Sequence, residues 1–236
     1  MKPGVLYLVP AWLSREAPPQ AVVPAEVLER IRSLDTFIAE DAKSARAWLA
    51  ACGHPRPLRE IAIHEYSEHT PQAGIDGLLE PLGAGRDVGL MSEAGLPAIA
   101  DPGAPLVAEA HRRGIRVIPL VGPGSIFLAL MASGMGGQRF RFAGYLPAQP
   151  AARRTAIAEL ERQSARASET QIFIETPYRG DALLADLVAT CRPGTRISVA
   201  VDLTSPDEWI RTDRVQDWRA KPRTIGKKPA IFLLAA

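Results

Sequence analysis

Over its first 120 residues the chain alternates between short apolar runs and segments with helical spacing, and few architectures accept that pattern. "GVLYLVP" (4–10) is a β-rich run closed by Pro10, and "AEVLERIRSL" (25–34) puts Val27, Leu28, Ile31 and Leu34 on one helical face. "TFIAE" is a short buried-strand candidate, followed by "DAKSARAWLAACG", a helix ended by Gly53. "EIAIHE" (60–65) alternates like a strand, "AGIDGLLEPLGAG" is helical up to its glycines, and "DVGLM" is again a strand. "APLVAEAHRRG" reads as a helix closed by Gly114, with "IRVIPL" as the strand after it. Such alternation predicts an α/β architecture with a parallel sheet.

The pattern changes near "VGPG", which places a domain boundary there: residues 1–121 form an N-terminal α/β domain and 122–236 a C-terminal one. In the second part "GSIFLALMASG" is an apolar helix and "RFRFAGYL" a strand. "ARRTAIAELERQSARAS" is a polar helix, and "DALLADLVATC" is a helix between the strands "TQIFIE" and "RISVAV". "AIFLLA" is the last strand. Strands outnumber helices toward the end, so a mixed sheet is expected there.

Bulk properties exclude more than they assign. Net charge is +2, so no overall field draws the chain to nucleic acid or to a membrane. No apolar run approaches the roughly 20 residues of a membrane span. The start, "MKPGVLYLVPAW", reads as a first strand and not as a signal peptide. Cys52 and Cys191 form no metal-spaced pair and read as free thiols of a cytoplasmic protein. His54, His64, His69 and His111 show no ligand spacing, so no metal site is expected.

One stretch does not fit a plain strand-to-helix connection. "MSEAGLPAIADPGAPLVAEA" (91–110) is long for such a turn and holds Gly95, Pro97, Pro102 and Gly103. In an open α/β sheet, ligands bind at the carboxyl ends of strands beside a topological switch point. Glycines admit close backbone approach, and prolines fix φ and remove donors. Together they make a rigid wall suited to a ligand read by main chain, such as an adenine, a ribose or an amino acid. A rigid loop without function is the plainer alternative. Neither a Walker-type phosphate loop nor a G-x-G-x-x-G fingerprint is present.

"MSEAGLPAIADPG", a helix, "GIRVIPLVGPGSI", "FAGYLP" and "IFIETPYR" occur in that order. They resemble the tetrapyrrole methylase superfamily of S-adenosylmethionine-dependent methyltransferases. Within it they are most similar to the branch typified by the small-subunit ribosomal RNA (cytidine-2′-O) methyltransferase. That branch carries runs like S-D-A-G-T-P-x-x-S-D-P-G, P-G-P-S-A, G-F-L-P and Y-E-S-P-H-R, and "AEDAKSARAWL" (39–49) resembles its E-D-T-R-x-T-x-x-L-L segment. The resemblance implies two α/β domains with the cofactor cleft between them, and a homodimer. The chain departs from the pattern at "PAWLSRE", where the branch has T-P-I-G-N-L, at Glu93 and Leu96, and within "EDAKSAR". The cofactor wall is thus better matched than the acceptor side.

Carried over by position, the resemblance implies S-adenosylmethionine contacts from Pro10, Ser92, Glu93, Gly95, Leu96, Ile99, Ser125, Ile126, Thr176, Pro177, Pro229 and Ala230. Leu96 and Ile99 suit the apolar walls of an adenine site. The residues also admit plainer roles: a helix N-cap for Ser125, core for Ile99, and a strand-ending turn for Thr176–Pro177. A ribose hydroxyl is a poor nucleophile, so a general base would help; Asp101, Glu40 and Asp41 are the candidates. Asp101 before Pro102 is also a plain turn signal. A basic segment, 211–228, with Arg153–Arg154 elsewhere, could contact phosphates of ribosomal RNA or the 30S subunit, or be a solvated face. The implied activity is O-methylation of ribosomal RNA ribose. The alternatives are methylation of a small molecule such as a tetrapyrrole, and a non-catalytic cofactor-binding module.

Overall fold

The computed structural model describes residues 2–67 and 70–236; His69 lies outside the described residues. The chain divides into two compact units, Met1–Gly124 and Ser125–Ala236, with the division falling where "GPG" gives way to an apolar helix.

The N-terminal unit alternates strand and helix: β1 (Val5–Leu8), α1 (Pro19–Val22), α2 (Ala25–Ser33), β2 (Thr36–Ala39), α3 (Ala42–Ala51), β3 (Ala62–Glu65), α4 (Gln72–Gly83), β4 (Val88–Met91), α5 (Ala104–Arg112) and β5 (Arg116–Pro119). The strands form a parallel sheet in the order β3-β2-β4-β1-β5. Strand alternation sorts the core into two faces. Tyr7, Val9, Phe37, Ala39 and Met91 pack with Val27, Leu28 and Ile31 of α2 and Trp48 and Leu49 of α3. Leu6, Ile38, Val88 and Leu90 pack with Leu79 and Leu82 of α4 and Leu106 and Ala110 of α5. Each fully buried aliphatic side chain contributes about 1.5–3 kcal/mol, so both helical layers are held by apolar burial.

This order has a consequence for binding. β1 and β4 are neighbours, yet the chain leaves β1 toward α2 on one face and leaves β4 toward α5 on the other. Their exits diverge, and a crevice opens at their carboxyl ends, as at a topological switch point.

The C-terminal unit contains α6 (Ser125–Ser133), β6 (Phe140–Tyr145), α7 (Pro150–Ala167), β7 (Thr170–Glu175), α8 (Gly180–Thr190), β8 (Arg196–Val201), β9 (Trp209–Arg214), α9 (Val215–Ala220) and β10 (Ala230–Ala235). Its sheet runs β6-β7-β10-β8-β9 and is mixed: β6 and β7 are parallel, and the other pairs antiparallel. One face buries Phe173, Val199, Val201 and Phe232 against α7, α8 and α9, with Phe173 and Phe232 stacked at 6.0 Å. On that side Arg153 of α7 reaches Asp186 of α8 at 2.6 Å, and Arg154 adds a second contact at 3.1 Å.

Candidate active site

The crevice at the carboxyl ends of β1 and β4 is stitched by main chain. Val9 N–H donates to Leu90 C=O at 2.7 Å, Ala11 N–H to Gly95 C=O at 2.8 Å, and Gly95 N–H to Trp12 C=O at 3.3 Å. The loop after β4 therefore folds back onto the loop after β1. Gly95 has φ +71°, which the turn requires, and its own N–H and C=O are spent on this stitching. Ala98 and Ala100 also lie in the left-handed region, at φ +65° and +61°. For non-glycine residues that conformation is costly and clusters at functional loops. The β5 exit closes the same rim, where Leu120 N–H donates to Leu8 C=O. Buried Pro10 lies against Gly122, where a Cβ would come within 2.1 Å of the proline ring.

Within this rim the predicted cofactor residues separate by role. Ser92 is buried and its hydroxyl donates to Ala94 C=O at 3.3 Å. Glu93 projects outward while its N–H donates to Glu40 Oε2 at 3.1 Å, tying the β4 exit to the β2 exit. Leu96 is half-buried, and Ile99 is 47% exposed, so Ile99 is not core: the loop holds an apolar side chain out in solvent.

The three candidate carboxylates also part ways. Asp101, Glu40, Ser92 and Tyr66 line one small cavity over Leu90 and Met91. Burial first, then the Glu40 charge and a smaller push from Glu93, raise the Asp101 carboxyl to about 6 against the opposing Ser92 hydrogen bond. Asp41 does something else. Its Oδ1 accepts from Ser44 N–H at 2.6 Å and caps α3, and this hydrogen bonding holds its carboxyl below the ordinary range. One oxygen of the Asp41 carboxylate is thus engaged at the start of α3, whereas Asp101 lines the cavity. Tyr66, which follows β3, was not among the sequence candidates; only the strand order brings it beside Glu40.

The two segments that depart most from the family pattern touch each other. Trp12 packs edge-on to Trp48 of α3 with centroids 5.1 Å apart, and Arg15 approaches Ser44 Oγ at 3.5 Å.

In the C-terminal unit the remaining candidates gather at one end of the sheet. Ala230 pairs with Glu175 on one side and with Val201 on the other, so Pro229 sits beside the β7 exit, and its C=O accepts from Asp202 N–H at 2.9 Å. Thr176 C=O accepts from Arg179 N–H at 3.0 Å, so Thr176 and Pro177 do form a strand-ending turn. Glu175 secures that turn: its Oε1 accepts from Thr176 N–H at 2.7 Å and from the Arg179 guanidinium at 2.6 and 2.9 Å. Ser125 opens α6, and Ile126 is buried behind it.

In the basic segment, β9 and α9 take up much of the run, and several of its cations have partners within the unit. Arg211 pairs with Asp213 at 2.6 Å and lies 3.9 Å above the Trp218 ring. Arg219 donates to the C=O groups of Val188 and Cys191 and so caps α8. Arg223 stacks over Trp209 at 3.9 Å, and Lys228 bridges Asp202 and Asp207. Arg214, Arg219, Lys221, Arg223 and Lys227 are all exposed. Among the described residues no cluster of three or more His, Cys, Asp or Glu side chains could hold a metal, and no helix is long and apolar enough to cross a membrane.

No family model matches the chain. Solved structures share its fold. A crystal structure of the methyltransferase CobJ matches with TM-score 0.63 at 20% identity, covering 98% of this chain and 94% of that one. Cobalt precorrin-4 methyltransferase matches with TM-score 0.61 at 16% identity, covering 98% and 94%. Among curated proteins, ribosomal RNA small subunit methyltransferase I of Xylella fastidiosa is 39% identical over 181 residues, 76% of this chain and 63% of that protein. The protein of the same name from Escherichia coli O157:H7 is 34% identical over 207 residues, 88% of this chain and 68% of that protein. That from Haemophilus influenzae is 32% identical over 216 residues, 92% and 72%. The chain thus spans about two thirds of the length of these curated relatives. Fold, strand-end architecture and relatives agree, and the chain belongs to the ribosomal RNA small subunit methyltransferase I family, with the tetrapyrrole methylase fold.

Proposed function

We propose that this chain is an S-adenosylmethionine-dependent methyltransferase that methylates a ribose hydroxyl of ribosomal RNA. The observation that carries the reading is the stitched crevice at the β1 and β4 exits, with Asp101 in the small cavity beside the β4 exit. The residues fit the cofactor: Ile99 and Leu96 offer an apolar wall, and the loop that holds them is shaped by main chain. Thr176, Pro177, Pro229, Ala230, Ser125 and Ile126 are the further cofactor-contact candidates that the family resemblance implies. S-adenosylmethionine, when bound, supplies an electrophilic methyl group on a sulfonium.

What remains for the protein is positioning and one proton. Holding an acceptor in line is worth up to about 7–11 kcal/mol of the barrier in well-oriented systems. Asp101 takes the hydroxyl proton. A carboxyl pushed up to about 6 is mostly ionised at neutral pH, yet is a stronger base than an ordinary aspartate. Such a base adds roughly 10²–10⁴-fold. The acceptor is read as RNA because the relatives named above are ribosomal RNA methyltransferases. We place the protein in the cytoplasm, a setting suited to the buried free thiols Cys52 and Cys191, each pushed by burial up to about 12. It acts as a two-fold homodimer. Phe127 and Met131 of α6 are 50% and 77% exposed, and Phe127 meets Phe140 edge-on at 6.1 Å, an apolar surface that a second copy would cover.

The test has two arms. Calorimetric titration with S-adenosylmethionine should show binding that Ile99→Asp weakens at least about tenfold with no change in melting temperature, because Ile99 is exposed and adds little to stability. Radiolabelled methyl groups should then enter 30S ribosomal RNA from a strain lacking the protein. Label that never appears there would refute the RNA acceptor, and unaltered cofactor affinity in Ile99→Asp would remove the loop from the site.

A further inference from the structure

Two exposed tyrosines in the C-terminal unit lack any part in the site described so far. Tyr145 ends β6 and Tyr178 lies three residues beyond the end of β7; β6 and β7 are adjacent and parallel, so both rings belong to one end of the sheet. Tyr145 is 58% exposed and Tyr178 81%.

Neither placement is casual. Along β6, Phe142 pairs with Ile172, but the next registered pair is Tyr145 with Ile174: three steps on β6 against two on β7. The extra residue is a bulge, and Gly144 has φ +68° there. In regular register Tyr145 would face Glu175, on the side of Phe173 and the α7–α8 core. The bulge returns it to the opposite face, beside Ile174. Bulges next to functional sites commonly re-aim one side chain in this way. Tyr178 stands on the turn that Glu175 secures, where the buried carboxylate holds both the Thr176 amide and the Arg179 guanidinium. Pro177 restricts the backbone just before it. A large aromatic side chain is thus presented to solvent on a fixed backbone, which favours capture of a flat partner because little backbone ordering remains to be lost. Exposed Lys227 lies at the same end of the sheet, two residues before Pro229.

We infer that Tyr178 and Tyr145 form a stacking platform for unpaired nucleobases of the RNA acceptor, with Lys227 serving the phosphate backbone. This rests on the RNA reading above and adds to it the form of the substrate: a single-stranded segment, held by base faces and not by sequence. Every base has a π-face, so stacking is tolerant of sequence, and proteins that bind single strands combine aromatic platforms with cations.

The experiment is fluorescence anisotropy with a labelled single-stranded oligocytidine RNA and with an RNA duplex of equal length. Tyr178→Ala should weaken the single strand by roughly 5- to 150-fold, the span expected for loss of one stacked base. Tyr178→Phe should stay within about twofold of wild type, since the ring is kept. Tyr145→Ala should weaken it in the same sense, and duplex affinity should not respond to any of the three. Tyr178→Leu, apolar but without a π-face, should behave like Ala and serves where Ala fails to fold. If wild type binds and methylates RNA while Tyr178→Ala and Tyr178→Leu bind as tightly, the platform is refuted and the RNA reading stands. Loss in Tyr178→Phe as large as in Ala would also refute it. A shifted monomer–dimer equilibrium with unchanged RNA affinity would assign the surface to a second copy instead. A wild type that neither binds nor methylates RNA would sink both readings.

Discussion

Asp101→Asn should make the N-terminal unit more stable while disabling it. The carboxyl is pushed from an ordinary 3.8 up to about 6, first by burial and then by Glu40. Its folded value lies above its unfolded one, so between about pH 4 and 6 the unfolded chain gives up its proton before the folded one does. Stability therefore falls as pH rises through that window and levels off above about 6. Each pKa unit corresponds to about 1.36 kcal/mol, and because the group is partly exposed, screening leaves a penalty of about 1–2 kcal/mol. Asparagine has the size of the protonated acid and never ionises. The two proteins should thus be nearly equal at about pH 4, with the Asn variant ahead by about 1–2 kcal/mol at about pH 7.5. Amide exchange of β1 and β4, compared between the two proteins at each pH, reads the opening of this unit alone. Methyl transfer by the variant should drop by roughly 10²–10⁴-fold. An Asn-minus-Asp stability difference that is the same at both pH values would refute the claim that this carboxylate is held against its desolvation.

Two further outcomes follow from the same geometry and from the second unit. Glu40→Gln removes the second cause of the Asp101 shift, so the acid limb of the kcat/KM profile should move below about pH 6, while an unmoved limb would show that Glu40 does not act on Asp101. Arg153→Ala leaves Asp186 buried with only the partly exposed Arg154 beside it, and should cost the C-terminal unit about 3–5 kcal/mol in a urea titration; a loss below about 1 kcal/mol would mean the pair is not desolvated.

What was legible in the residues follows from how each element earns its place. β1, β2 and β4 are buried on both faces and read as near-continuous apolar runs, and α2 and α5 carry clean helical spacing. β9, "WIRTDR", escaped because it is an edge strand paired only with β8; its charges sit where solvent and local partners satisfy them. The local partners of the basic segment were not legible either: Arg211, Arg219 and Arg223 meet a carboxylate, helix-end carbonyls and an indole that no charge pattern encodes. Asp41 carried a readable signal, Asp followed three residues later by Ser44, but a cap and an acid look alike in one dimension. The meeting of Glu40, Tyr66, Ser92 and Asp101 depends on strand order, which no local pattern encodes.

The reciprocal bonds among Ala11, Trp12 and Gly95 use only peptide groups. A loop whose path is set by peptide groups keeps that path when its side chains are exchanged. Glu93 and Leu96 stand where the family branch has aspartate and threonine, yet they occupy a rim whose outline is drawn by other atoms. Mutation can therefore explore the chemistry of this rim one side chain at a time, while the outline changes only if Gly95 or the neighbouring exit is lost. Shape and chemistry are inherited here through separate atoms, so the outline of the rim can persist while the groups displayed on it change.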